Sequence, residues 1–251
     1  MCCEAATIVS MMAEQADDQE IIHYIYMGGQ DVVPRNATHV RVDKSVKVIP
    51  SRAFYEHPNL VEFECHDGVD TIEGDAFFEC PSLKRVKMPG VKVVEADAFF
   101  GCRALTDVDC DKLETIGVRA FFCCTSLWSM NLPSVKIVEQ TAFLGCTNLV
   151  DLTFGDKLES IGEIALCECY ALKRISIPLK DGMITHDDVF QGCRSLVSVD
   201  LVGDLHQTIA ALHLQKWRDE MSEEIKRIDR VLPNTDAGRF SVWFDDGENG
   251  P

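Results

Sequence analysis

The sequence predicts a strand-dominated solenoid of seven stacked turns, with parallel strands, little helix inside the repeats and an amphipathic helix after the last turn. Three observations predict it. First, an Ala-Phe dipeptide or a close variant recurs at Ala53-Phe54, Ala76-Phe77, Ala98-Phe99, Ala120-Phe121, Ala142-Phe143, Ala165-Leu166 and Val189-Phe190, in steps of 23, 22, 22, 22, 23 and 24 residues. Second, four residues beyond each dipeptide start stand His57, Cys80, Cys102, Cys124, Cys146, Cys169 and Cys193, and three further on comes Leu60, Leu83, Leu105, Leu127, Leu149, Leu172 or Leu196. Third, aliphatic residues recur upstream, at Ile49, Ile72, Val94, Ile116, Val138, Ile161 and Ile184, and apolar residues downstream, at Phe63, Val86, Val108, Met130, Leu152, Ile175 and Val199. A unit of this length cannot bury its apolar side alone and must stack on its neighbours.

The elements follow in order. Met1-Cys2-Cys3-Glu4 lacks a basic leader, and Glu14, Asp17 and Asp18 follow, so no secretory signal is expected and residues 1–18 are expected to fray. Residues 19–42 hold two β-rich runs, 21–27 and 38–42, joined by Gly28-Gly29, and are expected to form a β cap over the first turn. Residues 43–203 are the repeats. In each, a stretch such as Leu83-Lys84-Arg85-Val86-Lys87-Met88 alternates as a strand, and Pro89, Pro133 or Pro178 stops it. Val91 to Val94 can form a short second strand, and Asp97-Ala98-Phe99-Phe100-Gly101-Cys102 a single helical turn.

After Leu201 the period changes. Leu205, Ile209, Leu212, Trp217, Met221, Ile225, Ile228 and Leu232 recur at helical spacing until Pro233, which predicts a C-terminal helix over residues 204–233 and a tail over 234–251. That helix can cap the stack with its charged face in water, or it can pair with a second subunit.

The shape Ala-Phe-x-x-Cys-x-x-Leu-x-x-Val-x-Leu-Pro, over residues 40–201, resembles the BspA-like class of leucine-rich repeats. The resemblance implies an α/β leucine-rich-repeat solenoid, a parallel-sheet horseshoe, and a protein that works in adhesion, at a surface or by binding a partner, without activity of its own in the repeats. The sequence departs from the pattern at His57, at Leu166 and in the lengthened stretch 178–189.

Composition narrows the partners. A net charge of -17, from 41 acidic against 24 basic residues, repels nucleic acid and anionic membranes alike, so neither is expected. No apolar run has the length a spanning helix needs, and an intracellular, cytoplasmic setting is expected. Six of the 12 cysteines share one repeat column, which predicts a buried ladder of reduced thiols rather than disulfides. Cys2, Cys3, Cys65, Cys110, Cys123 and Cys167 lie outside that column and contain no pair of Cys-x-x-Cys knuckles, so zinc is not expected. His186-Asp187-Asp188 is the one compact titratable cluster, and it reads as a solvated turn; no enzyme and no cofactor is expected.

The alternating strands leave outward positions on the concave face, where partners of solenoids usually sit. One column reads Glu62, Arg85, Asp107, Ser129, Asp151, Arg174 and Ser198, and its neighbour Glu64, Lys87, Asp109, Asn131, Thr153, Ser176 and Asp200. Sign alternation along the first repeats is what parallel stacking alone would select. It does not account for Trp128, whose column otherwise holds Val61, Lys84, Thr106, Val150, Lys173 and Val197. An exposed indole there is either a binding contact or a ring leaning on its neighbours. The candidate partner contacts are Glu62, Glu64, Lys84, Arg85, Lys87, Asp107, Asp109, Trp128, Asn131, Lys173 and Arg174. The sequence thus points to a non-catalytic protein-binding module, with the recognition or scaffolding part of a larger protein, or a surface adhesin, as the alternative.

Overall fold

The computed structural model describes residues 21–29, 31–178 and 188–202. The expected fraying of residues 1–18, His186 and Asp187 of the cluster at 186–188, the C-terminal helix over 204–233 and the tail lie outside the described residues.

Six of the described turns pair a longer strand with a two-residue one. The longer strands are β1 (His23–Tyr26), β2 (His39–Val42), β4 (Glu62–Glu64), β6 (Arg85–Lys87), β8 (Asp107–Asp109), β10 (Ser129–Leu132), β12 (Asp151–Phe154), β14 (Arg174–Pro178) and β15 (Ser198–Val202). The short ones are β3 (Val48–Ile49), β5 (Thr71–Ile72), β7 (Val93–Val94), β9 (Thr115–Ile116), β11 (Ile137–Val138) and β13 (Ser160–Ile161), and β1, β14 and β15 have no described two-residue partner. The longer strands form a five-stranded sheet, β1-β2-β4-β6-β8, and a four-stranded sheet, β10-β12-β14-β15; the short ones form one continuous six-stranded ladder. Every pairing is parallel, and the register matches equivalent residues of successive repeats, as in Glu62↔Arg85 and Arg85↔Asp107. The parallel solenoid read from the columns is therefore the fold. β14 ends at Pro178, which is itself the last strand residue and pairs with Val202. A terminal strand position needs no N–H from proline.

The core is built from the repeat columns. Phe54, Phe77, Phe99, Phe121 and Phe143 are all essentially inaccessible to solvent and stack with centroid spacings of 4.8, 4.9, 5.2 and 5.3 Å and interplanar angles between 2 and 7°. Tyr55, Phe78, Phe100 and Phe122 form a second, half-buried stack beside it, at 5.1, 4.7 and 4.6 Å. Ring stacking at this spacing follows from strand stacking itself, since successive turns sit roughly 4.8 Å apart.

No helical turn forms at Asp97 to Cys102. The segment instead alternates its hydrogen bonds: Asp97, Phe99 and Gly101 donate to Val118, Ala120 and Phe122 of the next repeat at 2.9, 2.8 and 2.8 Å, while Ala98, Phe100 and Cys102 donate to residues three back in their own turn. Two left-handed residues per turn make this possible. One column is Arg52, Asp75, Asp97, Arg119, Thr141 and Ile164, and the other contains Glu56, Glu79, Gly101, Cys123, Gly145, Glu168 and Gly192, all with φ between 49 and 82°. Sequence periodicity cannot reveal this conformation, because most of these positions are not glycine.

A non-glycine residue in the left-handed region costs about 1 kcal/mol. Glu79 (φ 50°) is exposed, and its column holds glycine in three other repeats. Glu79→Gly is therefore expected to raise the unfolding free energy by roughly 0.5–1 kcal/mol, read as a higher denaturant midpoint in circular dichroism.

The cysteine column is a buried ladder, as read from the sequence. The ten described cysteines are all free. Cys80, Cys102, Cys124, Cys146 and Cys169 direct their thiols to the carbonyls of Phe54, Phe77, Phe99, Phe121 and Phe143, at 3.0 to 3.3 Å, and Cys193 bonds the Leu166 carbonyl at 3.1 Å. The carbonyls of Phe54, Phe99, Phe121 and Phe143 also accept a backbone N–H within their own turn, as Phe99 does from Cys102, so there the thiol occupies the second lone pair. Burial raises the pKa of Cys102, Cys124 and Cys146 and keeps them as donors.

His57 performs the same task at the start of the column. Its Nδ1 accepts the Leu60 N–H at 3.1 Å, so Nε2 carries the proton and donates to the Pro34 carbonyl at 3.0 Å. Burial lowers its pKa below the ordinary 6.5. The unfolded chain therefore takes up this proton first, and stability is full above about pH 6.5 and falls as pH drops toward the folded-state value. His57→Cys, which restores the column residue, is expected to flatten the change in unfolding midpoint between pH 7.5 and 5.5. Carboxylates held low by hydrogen bonds, Asp31 by the Met27 N–H and Asp43 by Ser45, act only at more acid pH and leave that window clear.

Candidate interaction face

The longer strands place their outward residues on one face. Glu62 and Glu64 on β4, Arg85 and Lys87 on β6, Asp107 and Asp109 on β8, Asn131 on β10 and Arg174 on β14 lie in two parallel rows, while Lys84, Trp128 and Lys173 stand one residue before β6, β10 and β14. All of the residues singled out in the sequence lie on these strands or directly before them. Between the rows, Phe63, Val86, Met130, Leu152 and Ile175 point into the core. Ser176, expected to face outward, is almost buried, and Val199, in the inward column, is 41% exposed on β15, the last described strand, which has a described neighbour on one side alone.

Electrostatics divide the face. In its first part, Glu62 gathers three side chains: the His39 imidazole at 3.8 Å and the cations of Arg85 at 3.8 Å and Lys87 at 3.6 Å. Arg41 meets Glu64 at 3.0 Å on the adjacent row. Further along, Arg174 meets Asp151 at 3.6 Å. Such partly exposed pairs each contribute at most about 1 kcal/mol and serve mainly to relieve like-charge stacking. Trp128 is 60% exposed, so its indole stands free of the cover a packed ring would have. Other exposed apolar groups were not singled out in the sequence: Ile25 and Met27 around β1, at 60 and 58%, and Val197 beside β15, at 65%. The strands' alternation could have flagged Ile25, which continues the outward row occupied by Arg41 and Glu64.

Among the described residues, no group of three or more His, Cys, Asp or Glu side chains is placed to hold a metal ion, and no helix is long and apolar enough to cross a membrane.

Residues 34–134 and 114–211 match the model of the BspA type leucine rich repeat region, in six copies. The chain belongs to this family. Among solved structures, this BspA-type repeat protein is similar to a leucine-rich repeat protein of T. pallidum, with 24% identity over 72% of this chain and 71% of the other and a TM-score of 0.45. It is similar to one from Bacteroides ovatus with 21% identity, covering 73% and 64% of the two chains, at a TM-score of 0.45. A leucine rich cell surface protein from Faecalibacterium prausnitzii shares 18% identity over 68% and 80% of the chains, at a TM-score of 0.29. No curated protein matches. Repeats of this family suggest a role in protein interaction or adhesion and are typically non-catalytic.

Proposed function

We propose that this BspA-type repeat protein is a non-catalytic interaction module that docks a protein partner on its strand face, with Trp128 at the centre of the contact. The observation that carries this reading is the exposed indole in mid-face, in a row whose other members are Val, Lys and Thr. Tryptophan is enriched among residues that dominate binding energy, and a rigid parallel sheet holds it at little entropic cost. The rows of Glu62, Glu64, Lys84, Arg85, Lys87, Asp107, Asp109, Asn131, Lys173 and Arg174 then supply a charged and polar rim.

The test is affinity capture from the native source with wild-type protein and with Trp128→Ala, followed by measurement of each captured interaction with purified components. Trp128→Ala is expected to keep the fold and weaken binding at least tenfold. Undiminished affinity for every partner would overturn the reading.

A further inference from the structure

The strand sheet is interrupted at one step, and the interruption lies beside Trp128. In the other repeats the carbonyl before each strand accepts from the next repeat: Lys84 O from the Thr106 and Asp107 N–H groups, and Val150 O from Lys173 and Arg174. The matching bonds from Trp128 and Ser129 to Thr106 O are not made, and no backbone hydrogen bond joins β8 to β10. The short-strand ladder runs unbroken past the same step, through β9 and β11, and Phe99 and Phe121 remain stacked at 5.2 Å. The repeats therefore stay joined through the core, and on the strand face β8 and β10 remain neighbours that lack the ladder hydrogen bonds between them. Val108, the inward residue of β8, is correspondingly half-buried, whereas Phe63, Val86, Met130 and Leu152 are buried.

Charge marks the same place. Asp107 and Asp109 lie next to Arg85 and Lys87 in register, yet both cations turn the other way, to Glu62. The two aspartates are exposed and form no ion pair among the described residues. The strands on either side of the break, β8 and β10 with the residue before each, carry Thr106, Asp107, Asp109, Trp128, Ser129 and Asn131 on the outward side, with no cation among them.

Resting on the reading of the strand face as a docking surface, we infer that this interrupted step receives an extended basic segment of the partner protein. An arginine or lysine of that segment lies over the Trp128 indole, as cations do over aromatic faces, and its charge meets Asp107 and Asp109. Polar groups of the segment bond the open backbone edge, which an unsatisfied β ladder favours. A neutral or acidic segment would leave the two carboxylates without a counter-charge.

The probe is a labelled peptide, acetyl-Ser-Arg-Val-Arg-Ser-amide, compared with counterparts carrying Gln or Glu in place of Arg, with binding read by fluorescence anisotropy. The arginine peptide is expected to bind at least tenfold more tightly than the glutamine peptide in 50 mM salt, and the difference is expected to shrink in 500 mM salt as charges are screened. Asp107→Asn combined with Asp109→Asn is expected to abolish that preference without changing the thermal melt. Asp111→Asn combined with Glu159→Gln, which removes two exposed carboxylates elsewhere, is expected to leave it intact. Hydrogen exchange is expected to show the Val108, Trp128 and Ser129 amides slowed by the arginine peptide. Equal binding of the glutamine peptide, or equal loss in both double variants, would overturn the inference. A native partner lost on Trp128→Ala but retained by the Asp107, Asp109 variant would leave the docking face standing and remove its basic occupant.

Discussion

Phe99→Ala is expected to lower the unfolding free energy by about 3–5 kcal/mol, the usual cost of removing a fully buried aromatic ring. Phe99 is 0% exposed and sits between Phe77, at 4.9 Å, and Phe121, at 5.2 Å, so it belongs to two inter-repeat interfaces at once. In a stack whose stability is the sum of units and nearest-neighbour contacts, loosening both interfaces of one internal turn also weakens the coupling between the two ends. Urea unfolding followed by circular dichroism is therefore expected to show an earlier and broader transition, with a lower slope. A loss below about 1 kcal/mol would mean that neighbouring turns close over the cavity.

Gly155→Ala is the second large effect, with an expected loss of about 3 kcal/mol from overpacking. A Cβ at Gly155 would lie 2.2 Å from the Pro133 carbonyl oxygen and 2.9 Å from its carbon. Both are backbone atoms of the preceding repeat, so no side-chain rotation relieves the clash. Gly90 faces the same obstacle, at 2.2 Å from the Asp67 oxygen. Gly29→Ala is the control: its φ is +63° and nothing lies within 4 Å of the added methyl, so only the left-handed backbone resists it, at about 1 kcal/mol. Denaturant midpoints of the variants would separate close approach from backbone conformation as reasons for glycine.

The parts of this molecule that were legible in the sequence are those that repeat. Phe77, Cys80, Leu83 and Val86 each return once per turn, so their columns revealed stacking, register and the outward face without any pairing information. The helical turn expected at Asp97 to Cys102 does not form because the conformation there depends on left-handed residues, such as Asp97 and, in another repeat, Ile164, that no residue type announces. The cysteines' burial was legible, but their bond to a carbonyl one repeat back was not, since nothing in the spacing sets the direction of a thiol. Trp128 stood out as a break in its column. The break between β8 and β10 did not, because the repeats on both sides keep the 22-residue length and an apolar inward residue, Val108 or Met130.

The thiol column also has a direction. Every sulfur reaches back to the turn before it, and the first turn closes the series with an imidazole to Pro34. An internal module can therefore be excised or duplicated as a whole, for instance the 22 residues from Ala98 to Arg119, and the next donor finds the same kind of acceptor at the splice. Length thus becomes an inheritable variable of such a protein, adjustable in fixed quanta while the joints between turns stay chemically unchanged.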